Sequence, residues 1–386
     1  LLVAAMTLNA SPLEMSLLHV ADMAPALLVG LFAGVWVDRL RRRPIMIWAD
    51  LGRFLLTLSV PVAALLGALR IEQLYLVALL VGVLATFFDV AYRSYLPSLV
   101  RREALVEANA RLQATNAVAE VAGFGLAGGL VQLLTAPVAV AVDGFSFLVS
   151  AVSLALIGRQ EPPAPAETQA GAWAEIREGL AVLWRDPVLR AFALAGGTRA
   201  FFVYIWVALL LLFLTRELGL SPFEMGLLFA IGGVSSFFGA LIVEPITRRF
   251  GIGPTLIAAF FLYTASLTLV PLAAGPHWLV LLLVGLPQCL DAGYVLYEVN
   301  ETSVVQAVAP ERALGRVNAS LRLVAWGSML AGSLAGGVLG QTIGLRWAML
   351  IGAIAALVSV VWLLLSPIRK MRELPAPAMA APLSAG

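Results

Sequence analysis

Cysteine, histidine and lysine are scarce in this chain of 386 residues, and each shortage excludes a class of chemistry. The single cysteine, Cys289, excludes a disulfide, a cysteine-rich zinc site or an iron–sulfur cluster formed within the chain. Two histidines, His19 and His277, are too few and too far apart for most metal or bis-histidine haem sites. The single lysine, Lys370, follows no glycine-rich loop, so we expect no ATP-driven motor. From the three shortages together we expect no metal and no cofactor.

Charge of either sign is also scarce. Charged residues make up 12% of the sequence and hydrophobic residues 61%, whereas ordinary soluble domains have about 25% and about 45–50%. This excess of apolar residues runs along the whole chain and is typical of a polytopic membrane protein. We therefore expect the lipid bilayer and a small molecule as partners, and no nucleic acid.

Apolar runs of about 20 residues recur between short charged breaks, which predicts an all-α membrane protein. Residues 1–8 are similar to the end of one more helix, and we expect most of that first helix to be missing because Leu1 is not a methionine. The complete predicted spans are 13–36, 45–67, 73–96, 106–133, 137–158, 191–214, 222–245, 253–273, 278–303, 311–339 and 345–366.

Basic residues are concentrated in alternate loops. One set of loops, together with the C-terminal tail, carries 17 of them, whereas the other set carries only Arg70, Arg216 and Arg346. The positive-inside rule makes the first set cytoplasmic. Both termini of the full-length protein are then cytoplasmic, and its twelve helices lie in the cell membrane.

An internal repeat divides the chain. Leu126–Gly129 recurs as Leu334–Gly337, at an offset of 208 residues, and parallel six-helix repeats are typical of transporters with a site between the halves. Within the linker, the stretch 173–184 fits an amphipathic interfacial helix or a plain connection equally well. The predicted domains are an N-terminal six-helix bundle at 1–158 with an incomplete first helix, a cytoplasmic linker at 159–190, a C-terminal six-helix bundle at 191–366 and a cytoplasmic tail at 367–386.

The segment Gly34–Arg43 carries the strongest motif. It resembles the cytoplasmic signature of the major facilitator superfamily, Gly-x-x-x-Asp-Arg-x-Gly-Arg-Arg, with Arg41 at the usual glycine. The segments Asp50–Arg53, Phe88–Pro97 and Pro310–Val317 are similar to the drug–proton antiporter branch that contains macrolide and enterobactin exporters. The resemblance implies a twelve-helix fold of two bundles that functions as a monomer, uses alternating access and draws energy from the proton gradient.

The same resemblance implies a cytoplasmic gate that contains Asp38 and Arg39. In that pattern Arg42 pairs with an acid at the inner end of the fourth helix, which Asp89 matches, and Asp38 faces the positive N-terminal end of the helix at 311–339. Asp89 and Arg93 are also spaced i,i+4 with the acid first, so they can pair on one helix face. The alternative is that these arginines serve only as topology signals and lipid anchors.

The predicted helix at 278–303 carries Asp291, Tyr294, Glu298 and Glu301 on one face. Neighbouring, partly desolvated carboxylates cannot all ionise easily, so we expect one to exchange a proton near neutral pH. Pro287 predicts a kink near Asp291 because proline removes a backbone donor. We expect Asp291 and Glu298 to be the coupling candidates and Glu301 to lie in solvent near the cytoplasm; membership of the cytoplasmic charge network is the alternative for both glutamates.

Other polar residues inside the predicted spans are candidates because charges are costly in a bilayer. Glu120 ends a polar stripe on the helix at 106–133, and Arg322 on the helix at 311–339 is a possible counter-charge. For Glu120 a structural pair is as good an interpretation as a transport role, and the same holds for Asp22 beside His19, for Asp143 and for Arg199. The aromatic residues Trp206, Tyr294 and Trp326 suit a large, partly apolar ligand or ordinary packing.

Together these patterns predict a secondary active transporter that exports amphipathic drugs or siderophores in exchange for protons. A facilitator, an importer or a lysolipid transporter of the same fold is the alternative. A membrane-embedded enzyme would need a nucleophile–base pair or a metal cluster, and the sequence offers no pattern for either.

The predicted gate can be tested by exchanging its charges. We expect Asp89→Arg to slow transport more than Asp89→Asn, because it places two cations together, and Arg42→Asp to restore part of the rate. The transport rates of the two single variants and the double variant give the coupling energy, which we expect to be about 1 kcal/mol or more. A coupling energy near zero would remove the proposed pair.

Overall fold

The computed structural model describes residues 1–30, 37, 40–99, 105–157, 172–310 and 313–374. The other residues, and several side chains within the helices at 71–99, 105–134 and 172–185, lie outside this description. Every regular element among the described residues is helical, which confirms the predicted all-α class.

In the first half of the chain, helices follow the predicted spans closely. The side chain of Ser11 accepts a hydrogen bond from the Glu14 amide at 3.3 Å, and Glu14 accepts one from the Ser11 amide at 2.6 Å. This reciprocal pair satisfies two amides that a helix start leaves free. The helices are α1 (Leu2–Met6), α2 (Pro12–Leu28), α3 (Arg42–Leu65), α4 (Ile71–Leu99), α5 (Leu105–Leu134) and α6 (Ala136–Leu156).

The second half has more and shorter helices, because three predicted spans are each divided into two consecutive helices. The linker stretch 173–184, for which a helix and a plain connection were equally good interpretations, is helical and forms α7, where Glu178 forms an ion pair of 2.6 Å with Arg316. The elements are α7 (Ala172–Arg185), α8 (Pro187–Leu212) with a π-helical turn at Phe213–Glu217, α9 (Pro222–Phe250), α10 (Ile252–Ser266), α11 (Leu269–Leu272), α12 (His277–Cys289), α13 (Asp291–Val308), α14 (Leu314–Ile343), α15 (Leu345–Ala356), α16 (Val358–Leu364) and a 3₁₀ turn at Pro367–Lys370.

Within the described part of the chain, nine helical stretches are long and apolar enough to cross a membrane. The longest, His277–Val308, contains 32 residues, and its most apolar 18-residue window has a mean hydropathy of 1.8. A helix needs about 20 apolar residues to span the hydrocarbon layer, and it satisfies its own backbone polar groups there. The protein is therefore a multi-pass membrane protein. Parts of the predicted spans 13–36, 137–158 and 311–339 lie outside the described residues, as do several side chains of the span 106–133.

The chain forms two compact units, which are described separately. In unit 1, α3 packs against α4 and α6, and α2 packs against α4. In unit 2, a buried core gathers Phe192, Phe260, Tyr297 and Leu363. Unit 1 contains Leu1–Gln169, Tyr204–Ile231 and Leu330–Met349, and unit 2 contains Ala170–Val203, Gly232–Met329 and Leu350–Gly386.

Glycines explain how segments from both sequence halves pack within unit 1. A Cβ atom added to Gly337 on α14 would lie 2.6 Å from the Cβ of Ser16 and 3.1 Å from the Cα of Leu13, both on α2. One added to Gly128 on α5 would lie 3.0 Å from the Cα of Gly226 on α9. At these positions the absence of a side chain lets the helices approach closely.

A matched pair of glycines tests this packing. Gly129 stands at the repeat position equivalent to Gly337, but a Cβ there meets no atom of the described residues within 4 Å. We expect Gly337→Ala to lower the free energy of unfolding in detergent by about 1–3 kcal/mol through overpacking. Gly129→Ala should be neutral or slightly stabilising, because alanine favours a helix. Equal unfolding midpoints for the two variants would contradict the close approach at Gly337.

Candidate functional site

A charged side chain lies inside a group of aromatic rings in unit 2. Arg199, near the middle of α8, is half-buried. The carbon at the centre of its guanidinium lies 4.5 Å from the ring centroid of Tyr294 and 6.0 Å from that of Phe260. Ring faces carry partial negative charge, so these contacts replace part of the hydration that Arg199 loses inside the helix bundle.

The aromatic residues come from two further helices and contact one another. Phe260 on α10 stacks on Tyr297 of α13, with ring centroids 4.2 Å apart. Tyr263 on α10 lies 5.2 Å from Tyr294, which lies 6.3 Å from Tyr297. Three helices are thus joined through one set of rings. We call Arg199, Phe260, Tyr263, Tyr294, Tyr297 and Glu301 the Arg199 cluster.

Glu301 belongs to this cluster, and the expectation that it lies in solvent is wrong. It is half-buried and within electrostatic range of Arg199 and Tyr297, whereas Glu298 is exposed. At about 100° per residue, Glu301 projects between the directions of Tyr294 and Tyr297, and so faces the same neighbours as the two rings. Glu298 projects closer to the direction of Asp291. The sequence placed Glu301 late in the helix but did not predict the half-buried face on which it lies.

The Tyr297 hydroxyl is a second unusual feature of the cluster. The residue is 3% exposed, and its hydroxyl oxygen has no hydrogen-bond partner of ordinary geometry among the described residues. A buried hydroxyl without a partner costs about 1–3 kcal/mol. Glu301 lies within interaction range of this hydroxyl, so an ionised Glu301 is the acceptor that the cluster offers to it.

The predicted kink at Asp291 is confirmed. Helix α12 ends at Cys289, and α13 begins at Asp291. Ser235 on α9 bridges the break: its hydroxyl donates to the Cys289 carbonyl at 2.6 Å and accepts from the Ala292 amide at 3.1 Å. Pro287 removes a backbone donor at this position, and Ser235 satisfies the backbone groups that the break leaves open.

The kink directs Asp291 toward α9. A Cβ atom on Gly232 would lie 2.8 Å from Asp291 Oδ2 and 2.7 Å from Gln288 Oε1, so the glycine leaves space for both side chains in these positions. Asp291 is half-buried and belongs to the same unit as the Arg199 cluster. The structure thus places two acids, Asp291 and Glu301, in polar environments along α13.

Unit 1 contains a second set of charges, on α3 and α6, in which Asp50 is buried and Asp143 is exposed. Asp50 is 1% exposed and accepts a hydrogen bond of 3.2 Å from Arg53. The guanidinium carbon of Arg53 lies 4.0 Å from the ring centroid of Phe147, and Asp143 is within electrostatic range of Arg53. The sequence presented Asp50 and Arg53 only as part of a family resemblance, although their i,i+3 spacing was a usable signal.

The remaining sequence candidates are distributed over both units. Arg322 is exposed, and Arg199 rather than Arg322 is the cation that the structure places beside Glu301. Asp22 is exposed within electrostatic range of His19, whose ring lies 5.7 Å from that of Tyr204.

The predicted cavity aromatics do not share one compact unit. Trp206 lies in unit 1, whereas Tyr294 and Trp326 lie in unit 2. Trp206 is 4% exposed, and its indole nitrogen has no hydrogen-bond partner among the described residues. Trp326 is half-buried.

Most of the predicted gate lies outside the described residues. This applies to Asp38 and Arg39, and to the side chains of Arg93 and of the coupling candidate Glu120. Asp89 is exposed on α4, and Arg42 is half-buried in the first turn of α3. The gate therefore stays a prediction.

With this geometry, the chain can be compared with known proteins. The family model of the Major Facilitator Superfamily matches residues 1–329. The chain belongs to the major facilitator superfamily. This membership confirms the fold of two six-helix bundles and makes the protein a membrane transporter for a small molecule, not an enzyme.

Two curated relatives in the superfamily cover most of the chain. An uncharacterised MFS-type transporter, YfiS of Bacillus subtilis (strain 168), is 26% identical over 387 residues, covering 97% of this chain and 89% of that protein. The multidrug efflux pump Tap of Mycolicibacterium fortuitum is 27% identical over 351 residues, covering 88% and 83%. A bacterial homologue of the iron transporter ferroportin, solved in an inward-facing state, superposes with a TM-score of 0.75 at 20% identity, covering 94% and 92%.

The Arg199 cluster of this major facilitator protein can be tested through its stability. We expect Arg199→Gln to lower the free energy of unfolding by about 2 kcal/mol, since it removes a desolvated cation from two rings and leaves Glu301 uncompensated. Adding Glu301→Gln should restore part of this loss, because no isolated charge then remains. Arg322→Gln, on the exposed arginine of α14, is the control and should change little. Strictly additive effects of the two substitutions would show that Arg199 and Glu301 are not coupled.

Proposed function

We propose that the protein exports amphipathic small molecules across the cell membrane in exchange for protons, as a monomer and without a cofactor. The observation that carries the proposal is the Arg199 cluster: a titratable acid beside a cation and a buried tyrosine hydroxyl, inside a membrane-spanning stretch. Ionisable groups at such positions are functional candidates because a purely structural role rarely compensates their desolvation. The 27% identity to a multidrug efflux pump supports export as the direction.

The coupling step follows from the charges of the cluster. When Glu301 is ionised, it attracts Arg199 and accepts a hydrogen bond from the Tyr297 hydroxyl. When Glu301 binds a proton, the attraction ends, and Arg199 is held only by the rings of Tyr294 and Phe260. Because Arg199 lies on α8 and Glu301 on α13, protonation changes the force between two helices. A proton gradient can thus bias their relative position.

The substrate class follows from the sign of the charges along α13. Asp291, Glu298 and Glu301 provide three acids, and Arg199 provides one cation beside them. This excess of acids favours a neutral or cationic amphiphile over an anionic siderophore. Tyr294 contributes an aromatic face that a cationic or aromatic molecule can contact.

Everted membrane vesicles test direction and coupling together. With an acidic interior, vesicles that contain the protein should accumulate a fluorescent cationic amphiphile, and Glu301→Gln and Asp291→Asn should each reduce this accumulation at least tenfold while substrate binding stays measurable. Glu298→Gln tests the remaining acid of the face and should have the smallest effect of the three, because Glu298 is exposed.

The matched control is Glu244→Gln, since Glu244 is an exposed acid on α9 that pairs with Arg248 at 2.7 Å. It should transport like the unaltered protein. If all three α13 variants still concentrate substrate with an unchanged pH dependence, proton coupling lies elsewhere. Accumulation only under a gradient of the opposite sign would identify an importer.

A further inference from the structure

An apolar groove lies on the surface of unit 1, between the start of α3 and the middle of α4. Its volume is 570 Å³, within the range of about 300–1,000 Å³ that small-molecule sites occupy. Ala49, which is 3% exposed, lies at its base, and Leu84 and Phe87 of α4 form one wall. None of these residues belongs to the Arg199 cluster or to the predicted gate.

The opposite wall exposes large apolar side chains. Trp48 is 72% exposed and Leu40 is 53% exposed, and both line the groove. Trp48 lies six residues after Arg42, which is about 9 Å along the helix. Arginines at the start of a membrane helix mark the headgroup region, and tryptophan is enriched at the adjacent boundary with the acyl chains. The groove thus begins at headgroup level and extends into the apolar layer.

Arg41 is the charged residue of the groove. It is exposed, and the other residues that line the groove are apolar. The nearby Arg43 is committed to the protein, since it donates to the carbonyls of Leu154 and Ala155 at 2.8 and 2.5 Å. The groove therefore combines one available positive charge at its mouth with an apolar interior.

We propose that this groove binds an anionic phospholipid of the surrounding leaflet, with the lipid phosphate at Arg41 and an acyl chain along Trp48 and Phe87. Basic pockets between membrane helices bind anionic headgroups through the same combination of charge and depth. The positive charge of Arg41 disfavours a cationic amphiphile, so the groove differs in charge preference from the proposed transport site on α13. A bound chain would contact α3 and α4 together and stabilise their packing.

Tryptophan quenching tests the site in the intact protein. Phospholipids with brominated chains quench nearby indoles, and the quenching lost in Trp48→Phe reports lipid at this groove alone. We expect the apparent affinity measured from Trp48 quenching to be at least tenfold higher for brominated phosphatidylglycerol than for brominated phosphatidylcholine. Arg41→Gln should abolish this preference, and Arg41→Lys should keep most of it.

The control variant is Arg249→Gln, which removes the same charge from an exposed arginine at the end of α9 and should keep the preference. Near-ultraviolet circular dichroism establishes that each variant is folded. Equal quenching by the two lipids in the unaltered protein would overturn the proposal, as would an unchanged preference in Arg41→Gln. A cationic amphiphile that displaces the lipid with the same apparent affinity in the unaltered protein and in Arg41→Gln would instead identify a substrate entrance. That result would also overturn the proposal.

Discussion

A guanidinium inside the membrane-spanning part of unit 2 sets requirements that its neighbouring helices must meet. Arg199 keeps its charge at any physiological pH, so the surrounding residues must compensate its lost hydration. Tyr294 and Phe260 do this with ring faces at 4.5 and 6.0 Å, and Glu301 does it with charge. These contacts fix which faces of α10 and α13 point toward α8. The stacking of Phe260 on Tyr297 at 4.2 Å then follows from the same orientation.

The kink between α12 and α13 makes this orientation compatible with a second polar position. Asp291 and Glu298 lie on nearly the same side of α13, because seven residues complete about two helical turns. The break at Leu290, bridged by the Ser235 hydroxyl, directs Asp291 toward Gly232 on α9. The proline beside the break and the serine that bridges it lie on different helices, and without Ser235 the break would leave the Cys289 carbonyl and the Ala292 amide unsatisfied in an apolar environment.

The sequence predicted the features that depend on local pattern. Apolar runs predicted the membrane helices, and Pro287 predicted the kink, because length and a missing backbone donor act within one segment. The sequence did not predict Ser235 as the bridge, because Ser235 lies 52 residues before Pro287 and a serine in an apolar helix is not by itself a signal of such a contact. Glu301 was misplaced because a spacing of three, four and three covers a wide arc of the helix. Which part of this face of α13 is buried depends on the residues of other helices that pack against it, such as Arg199 and Phe260.

The two sets of buried charges differ in what they can do. Asp50 and Arg53 lie one turn apart on α3, so their ion pair survives any movement of α3 as a rigid body and cannot report such movement. Arg199 and Glu301 lie on different helices, so their interaction changes whenever α8 and α13 move relative to each other. By reciprocity, any change in the charge of Glu301 alters the free energy of that movement. This difference in connectivity, more than a difference in burial, is the physical reason that the proposed coupling is placed on the second pair and not on the first.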